Sequence, residues 1–432
     1  WSLPIIFIIE NNGYALSTPN SEQFKCYNLI DKAPGYGMDA LQIDGNNILE
    51  VYDVVSQLAK SLRANPRPVL VEALTFRMRG HEEASGTKYV PDELLEKWSA
   101  KDPIRNYEQY LVENFILDNT EIAHIKAQID EEIESAIEKV QAETLPFANE
   151  HIELQDVYAI AEPEENNPDL SDTSEKRFID AISEALLQSM ERYENLVLMG
   201  QDIAGYGGVF KATEGLASQF GTDKVRNTPL CESAVLGAAL GLSIKGFKTM
   251  VEMQFADFVT CGFNQIVNNL AKSHYRWGQN ADVVVRLPTG ASTGGGPFHS
   301  QSTEAWFFNV PGLKIVYPSN AFDAKGLLCA AIEDPNPVLF FEHKALYRSI
   351  KSDVPTQYYT LPIGKAVIMK EGSDLTIVSY GLGIIWASDA IEELGIDAEI
   401  VDLRTLLPWD KETVASSVKK TGRVLILNED TT

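Results

Sequence analysis

Short apolar runs, each followed by polar residues and then an amphipathic stretch, recur along the chain. Ile5-Ile6-Phe7-Ile8-Ile9 comes directly before Glu10-Asn11-Asn12-Gly13. Similar runs lie at residues 69–74, 195–199, 248–253, 283–287, 338–342 and 375–380. Near-continuously apolar strands with helices between them predict an α/β fold of parallel sheets covered by helices. One segment differs: Ile122, Ile125, Ile129, Ile133, Ala136 and Val140 recur every three or four residues. That spacing predicts an amphipathic helix with a charged outer face. The acidic, proline-containing stretch that follows, within residues 161–173, has the composition of a linker. A new helix is expected from about Ser174, with Phe178, Ile179, Ile182 and Leu186 on its apolar face. A second seam at residues 352–361 precedes a smaller β/α unit. The chain thus divides into parts at residues 1–160, 174–351 and 360–432, joined first by the 161–173 linker.

Composition narrows the function. The 432 residues carry a net charge of −26, which argues against nucleic acid as a partner, because phosphate binding wants a basic footprint. The charge permits a basic protein partner, and it equally suits plain solubility. No apolar run approaches the roughly 18 residues of a membrane span. Four scattered cysteines, Cys26, Cys231, Cys261 and Cys329, form no CxxC pair. They suggest neither a zinc site nor a disulfide framework, and a reducing compartment, the cytoplasm, is expected. The chain opens inside one strand and stops five residues after another, Val424-Leu425-Ile426-Leu427, so it reads as continuing beyond both ends.

Four segments carry candidate chemistry. Glu10 to Pro19 follows a buried strand, the usual place for a ligand in an open α/β sheet. An amide oxygen there and a carbonyl exposed by a glycine turn can coordinate a hard cation, although Asn-Gly is also ordinary turn chemistry. Next, Asn227-Thr228-Pro229-Leu230-Cys231-Glu232 leads into a helix rich in Gly and Ala, with Glu232 in its first turn. Such an acid is a partner of the helix dipole, or a proton donor to a bound heterocycle. The third segment, Gly290 to Gln301, is a glycine-dense loop presenting His299 as an acid–base group or as a plain loop residue. It is no Walker loop, since no Gly-Lys-Ser/Thr follows. Finally, Arg77-Met78-Arg79-Gly80-His81-Glu82-Glu83 ends another strand and offers cations to phosphate, or is a solvated charged loop.

Together the segments NNGYALSTP, APGYGMDALQIDGN, NTPLCE, EMQFADF, FHSQS, DPNPVLFFEHKALYR and DLRTLLPWD, in that order, resemble the E1 component of 2-oxo acid dehydrogenase complexes. The resemblance covers nearly the whole chain apart from residues 145–173, with an α-like part preceding a β-like part. It implies a thiamine diphosphate-binding fold with a smaller C-terminal domain like that of transketolase. It implies oxidative decarboxylation of a 2-oxo acid, of the branched-chain 3-methyl-2-oxobutanoate type, with acyl transfer to a lipoyl group on the E2 component. By the resemblance, Asn12 and the Tyr14 carbonyl hold magnesium, and His81 reaches the cofactor. Glu232 hydrogen-bonds the aminopyrimidine ring, Phe255 and Phe258 wall its pocket, and His299 serves decarboxylation or acyl transfer. Asp334 and Asn336 fall where some members bind a monovalent cation such as K+. A homodimer of fused chains is implied as well.

The chain departs from the family in several ways. The acidic magnesium ligand belongs to a segment upstream of residue 1. Gln201 stands where the family often has Glu, and Glu82 stands where regulated members carry serine. The C-terminal domain ends early. Alternative readings are a pyruvate or acetoin dehydrogenase E1, a transketolase-like sugar-phosphate enzyme, and a non-catalytic docking subunit.

Overall fold

The computed structural model describes residues 2–82, 84–161, 166–291 and 294–431. Trp1, Glu83, residues 162–165 near the start of the expected linker, Ser292 and Thr293 of the glycine-dense loop, and Thr432 lie outside the described residues. The chain forms two compact units, Trp1–Pro146 and Phe147–Thr432.

In the first unit, β1 (Ile6–Asn11), β2 (Asp39–Asp44) and β3 (Val69–Leu74) form a parallel sheet with β3 in the centre. The central strand is buried along nearly its full length, which is why it lacks polar alternation. Helix α1 (Ile48–Ala64) packs Val51, Val54, Leu58 and Leu62 against Ile43, Val69, Val71 and Ala73. The expected amphipathic helix is α2 (Asn119–Ala142), started by a capping box between Asp118 and Glu121. Its apolar stripe is exposed in this unit: Ile129 and Ile133 are each 50% accessible.

The second unit begins differently from the sequence expectation. Thr173–Arg177 is a strand paired antiparallel with Lys351–Pro355, and α3 (Phe178–Arg192) starts only after it. The pairing also ties the segment before α3 to the seam at residues 352–361. Seven further strands make the main sheet: β4 (Leu196–Gly200), β5 (Val225–Asn227), β6 (Lys248–Glu252), β7 (Val283–Thr289), β8 (Lys314–Val316), β9 (Val338–His343) and, later in the chain, Thr405–Leu407. From one edge to the other the order is Thr405–Leu407, β8, β9, β7, β6, β4, β5, parallel throughout except for the first strand.

Alternate residues of these strands enter two separate cores, as strand geometry requires. Leu198, Val284 and Phe340 join α3 and α5 (Ala321–Glu333) on one face. Val197, Val285 and Phe341 join α4 (Glu232–Ile244) on the other. A second sheet comprises β10 (Val367–Lys370), β11 (Leu375–Ser379), β12 (Ala398–Asp402) and β14 (Val424–Ile426), with the order β10, β12, β11, β14. Its domain lends Thr405–Leu407, here β13, to the main sheet, so the second and third parts expected from sequence share one compact unit.

Candidate active site

Parallel strands β9, β7, β6, β4 and β5 are neighbours, so their carboxyl ends share one edge of the sheet. The residues singled out in this unit follow those ends in turn. Gln201 comes after β4, Glu232 after β5, Phe255 and Phe258 after β6, and His299 in the loop after β7. Ligands of open α/β sheets bind at such an edge.

Glu232 is the first residue of α4, after Pro229 and the N-cap Cys231. Its Oε1 accepts a hydrogen bond of 3.0 Å from Gln201 Nε2. Gln201 is buried, and its own Oε1 has no hydrogen-bond partner. A buried acceptor without a donor is costly unless a ligand supplies one. His299 stands edge-on to two rings, with centroids 4.9 Å from Phe255 and 5.5 Å from Phe258. Lys344 Nζ donates to the His299 carbonyl at 2.8 Å. Asp257 accepts from both the main-chain N–H and the side-chain amide of Gln301, at 3.2 and 3.0 Å. Asp257 and Lys344 lie inside segments that carried the family resemblance, but nothing in their spacing marked them as supports of the histidine loop.

Beneath this edge Arg286 of β7 lies fully buried between Glu252 of β6 and Glu342 of β9. Burial works against the guanidinium charge, but the two carboxylates outweigh it and raise the arginine pKa further. Tyr347 donates to Glu342, and its ring meets Phe210, which in turn meets Phe255. The triad thus anchors the aromatic floor.

The first unit assembles its own group. Asn11, at the end of β1, donates to Glu72 at 2.7 Å and accepts from Gly13 N–H and from Asn20. Asn12 Oδ1 accepts the Tyr14 N–H at 3.0 Å. Gly13 adopts φ +82°, a left-handed value that suits glycine. Tyr14 pairs across a two-residue ladder with Pro19, which has no N–H to give to the Tyr14 carbonyl. Arg77 joins this loop to the next one. It donates to the Leu16 carbonyl and the Tyr89 hydroxyl, and its Nη1 lies 3.2 Å from His81 Nδ1. Asn12, Tyr14 and His81 therefore belong to one cluster.

Asp334 and Asn336 lie elsewhere, just before the amino end of β9 and so at the opposite edge of the sheet. Lys314 Nζ donates to Asp334 at 2.5 Å, and Asn336 donates to its other oxygen. Asn336 also exchanges two hydrogen bonds with the Ala159 backbone. These side chains form an internal clamp. Among the described residues no group of three His, Cys, Asp or Glu side chains is arranged to hold a metal ion. The described helices include none long and apolar enough to cross a membrane.

Three parts of the chain match known protein families. Residues 1–148 match the family described as "Dehydrogenase E1 component". Residues 174–350 match "Transketolase, pyrimidine binding domain", and residues 364–432 match "Transketolase, C-terminal domain". The 2-oxoisovalerate dehydrogenase subunit beta of Bacillus subtilis (strain 168) is 50% identical over 259 residues, 59% of this chain and 79% of that protein. The mitochondrial 2-oxoisovalerate dehydrogenase subunit beta 2 of Arabidopsis thaliana is 47% identical, over 58% of this chain and 71% of its own. The pyruvate dehydrogenase E1 component subunit beta of Acholeplasma laidlawii is 43% identical, over 58% and 78%. An orphaned amide oxygen beside a carboxylate, next to an aromatic wall, fits the amino-substituted ring of thiamine diphosphate. The chain belongs to the E1 components of 2-oxo acid dehydrogenases, thiamine diphosphate enzymes that decarboxylate 2-oxo acids, with an α-type and a β-type part joined in one polypeptide.

Proposed function

We propose that this chain decarboxylates a branched-chain 2-oxo acid of the 3-methyl-2-oxobutanoate type and delivers the acyl group to the lipoyl group of an E2 partner. The observation that carries the chemistry is the Gln201–Glu232 pair beside the Phe255–Phe258–His299 cluster, at one sheet edge. The branched substrate is supported by the relatives named for 2-oxoisovalerate, which match at 50% and 47% identity, against 43% for the one named for pyruvate.

Thiamine diphosphate, when bound, supplies the carbon nucleophile and electron sink for the loss of carbon dioxide. The chain's own residues bind, orient and move protons around it. Glu232 holds a proton at the aminopyrimidine ring, and Gln201 fixes the carboxylate that does so. Phe255 and Phe258 give that ring an apolar wall and exclude water. His299 serves decarboxylation or acyl transfer as an acid–base group. Asn12 Oδ1 and the Tyr14 carbonyl would be the neutral oxygens that hold Mg2+, and His81 with Arg77 would bind the diphosphate. The Asp334–Asn336 turn, whose side chains are engaged with Lys314 and with each other, is the place at which a monovalent cation such as K+ would sit. Two copies of the chain would form the working homodimer. The net charge of −26 suits a basic docking domain on E2. Four free thiols, two of them exposed, suit a reducing compartment such as the cytoplasm.

Thiamine diphosphate binding, followed by quenching of intrinsic fluorescence with and without Mg2+, tests the assignment of the groups. Asn12→Ala is expected to weaken the magnesium-dependent part. Glu232→Ala is expected to bind cofactor and yet lose about 10²-fold or more of turnover. Equal turnover in the parent and Glu232→Ala would remove Glu232 from the chemistry.

A further inference from the structure

The loop that carries His299 is fastened by groups to which nothing above gives a role. His343 is the last residue of β9 and is fully buried. Its Nδ1 accepts the Ala345 N–H at 3.2 Å, which leaves the ring proton on Nε2. That nitrogen lies 2.6 Å from Glu429 Oε2. The other oxygen of Glu429 accepts the Ala291 N–H at 3.1 Å. One carboxylate therefore bridges the strand end and the first residues of the histidine loop.

Gly290 explains why the imidazole sits there. It adopts φ +89°, and a Cβ at this position would lie 2.0 Å from His343 Nε2. Only glycine lets the loop backbone lie against the ring. The loop returns to the same place, because the Gln301 carbonyl accepts from both Gly290 N–H and Thr289 Oγ1. Glu429 reaches the loop from the segment after β14. That segment is itself fixed to β11 by Leu427 N–H donating to Val378 and by Ser379 donating to Leu427. Burial works against the charge on Glu429, but the hydrogen bonds from His343 and from the Ala291 N–H, with Lys344 nearby, outweigh it and hold the carboxyl below the usual range.

We propose that His343 and Glu429 are a positioning pair that holds the His299 loop in its working geometry, so that the segment after β14 supports the site on the main sheet. The role assigned to His299 rests on the function proposed above, whereas the pair itself rests on the geometry of the loop.

The test uses the full chain with Glu429→Gln. A glutamine has one acceptor oxygen and cannot serve both the His343 and the Ala291 donors. Amide hydrogen exchange over residues 294–301, measured without cofactor, is expected to speed up by about tenfold, while residues 338–342 keep the parental rate. With thiamine diphosphate and a 2-oxo acid, kcat is expected to fall by about tenfold at unchanged cofactor affinity. Glu429→Asp, which keeps both oxygens, is expected to restore part of the loss. Gly290→Ala, which displaces the imidazole instead of the carboxylate, is expected to reproduce the faster exchange. Parental exchange at 294–301 in both Glu429→Gln and Gly290→Ala would overturn the proposal. So would a fall in kcat that merely follows a fall in melting temperature and cofactor affinity. If the parent turns over no 2-oxo acid, the proposed function fails, but the exchange experiment still decides the pair.

Discussion

Glu72 shows what a single buried side chain can organise. It lies in the central strand β3 with no exposed surface and accepts from Asn11, Gln42, Leu29 N–H and Ile30 N–H. Burial raises its pKa, but these donors outweigh that and hold the carboxyl below the usual carboxylate range. A depressed pKa stabilises the fold above the unfolded value and ceases to do so as pH falls through the folded value. Glu72→Ala is expected to cost about 1–3 kcal/mol or more, because it leaves several donors unpaired. It is also expected to remove part of the acid sensitivity of the first unit, and urea unfolding at neutral and acidic pH reads both. Since Asn11 is a donor to Glu72, the same change is expected to loosen the Asn12–Tyr14 turn and weaken magnesium-dependent cofactor binding.

At the level of elements, the helices differ in what holds them. Helix α3 buries Phe178, Ile179, Ile182 and Leu186 against the main sheet and α5. Helix α2 has the same apolar periodicity but leaves Ile129 and Ile133 half exposed. Ile182→Ala is expected to cost about 2–5 kcal/mol, and Ile129→Ala less than about 0.5 kcal/mol, in equilibrium unfolding of the chain. Equal costs would mean that α2 is buried in solution.

The apolar runs at 69–74, 283–287 and 338–342 revealed strands because both faces of a central parallel strand are covered. Thr173–Arg177 was not legible. It alternates exposed and half-buried residues at an edge, and its partner Lys351–Pro355 is far away in sequence. The site was legible where chemistry and local order coincide, as at Pro229-Leu230-Cys231-Glu232. Pairings across strands, such as Gln201 with Glu232 and Glu429 with His343, were not, since only the sheet order brings those residues together.

The whole molecule combines carboxyls with opposite responses to pH. Burial pushes Glu304 up to about 7, against the hydrogen bond from Tyr380 that favours the ionised carboxyl. Asp402 is also pushed up to about 7, by burial and by Asp323 nearby. A raised carboxyl stabilises the fold at low pH, and that contribution is lost as pH rises through the folded value. As pH rises, these two groups therefore lower stability between about pH 4.5 and 7, whereas Glu72 raises it only below about pH 4.5 and adds nothing further above that. Glu304→Gln, unable to ionise, is expected to flatten the decline of melting temperature over the upper part of the interval. A slope equal to the parent's would place the titration elsewhere.

The most direct test of the function is reduction of an artificial electron acceptor by the chain with thiamine diphosphate and Mg2+. The substrates would be 3-methyl-2-oxobutanoate, pyruvate and 2-oxoglutarate, with Glu232→Ala as control. The proposed function predicts that the branched acid is oxidised fastest, with that rate lost in the control. A folded protein that binds the cofactor and oxidises none of the three acids would contradict the function proposed here.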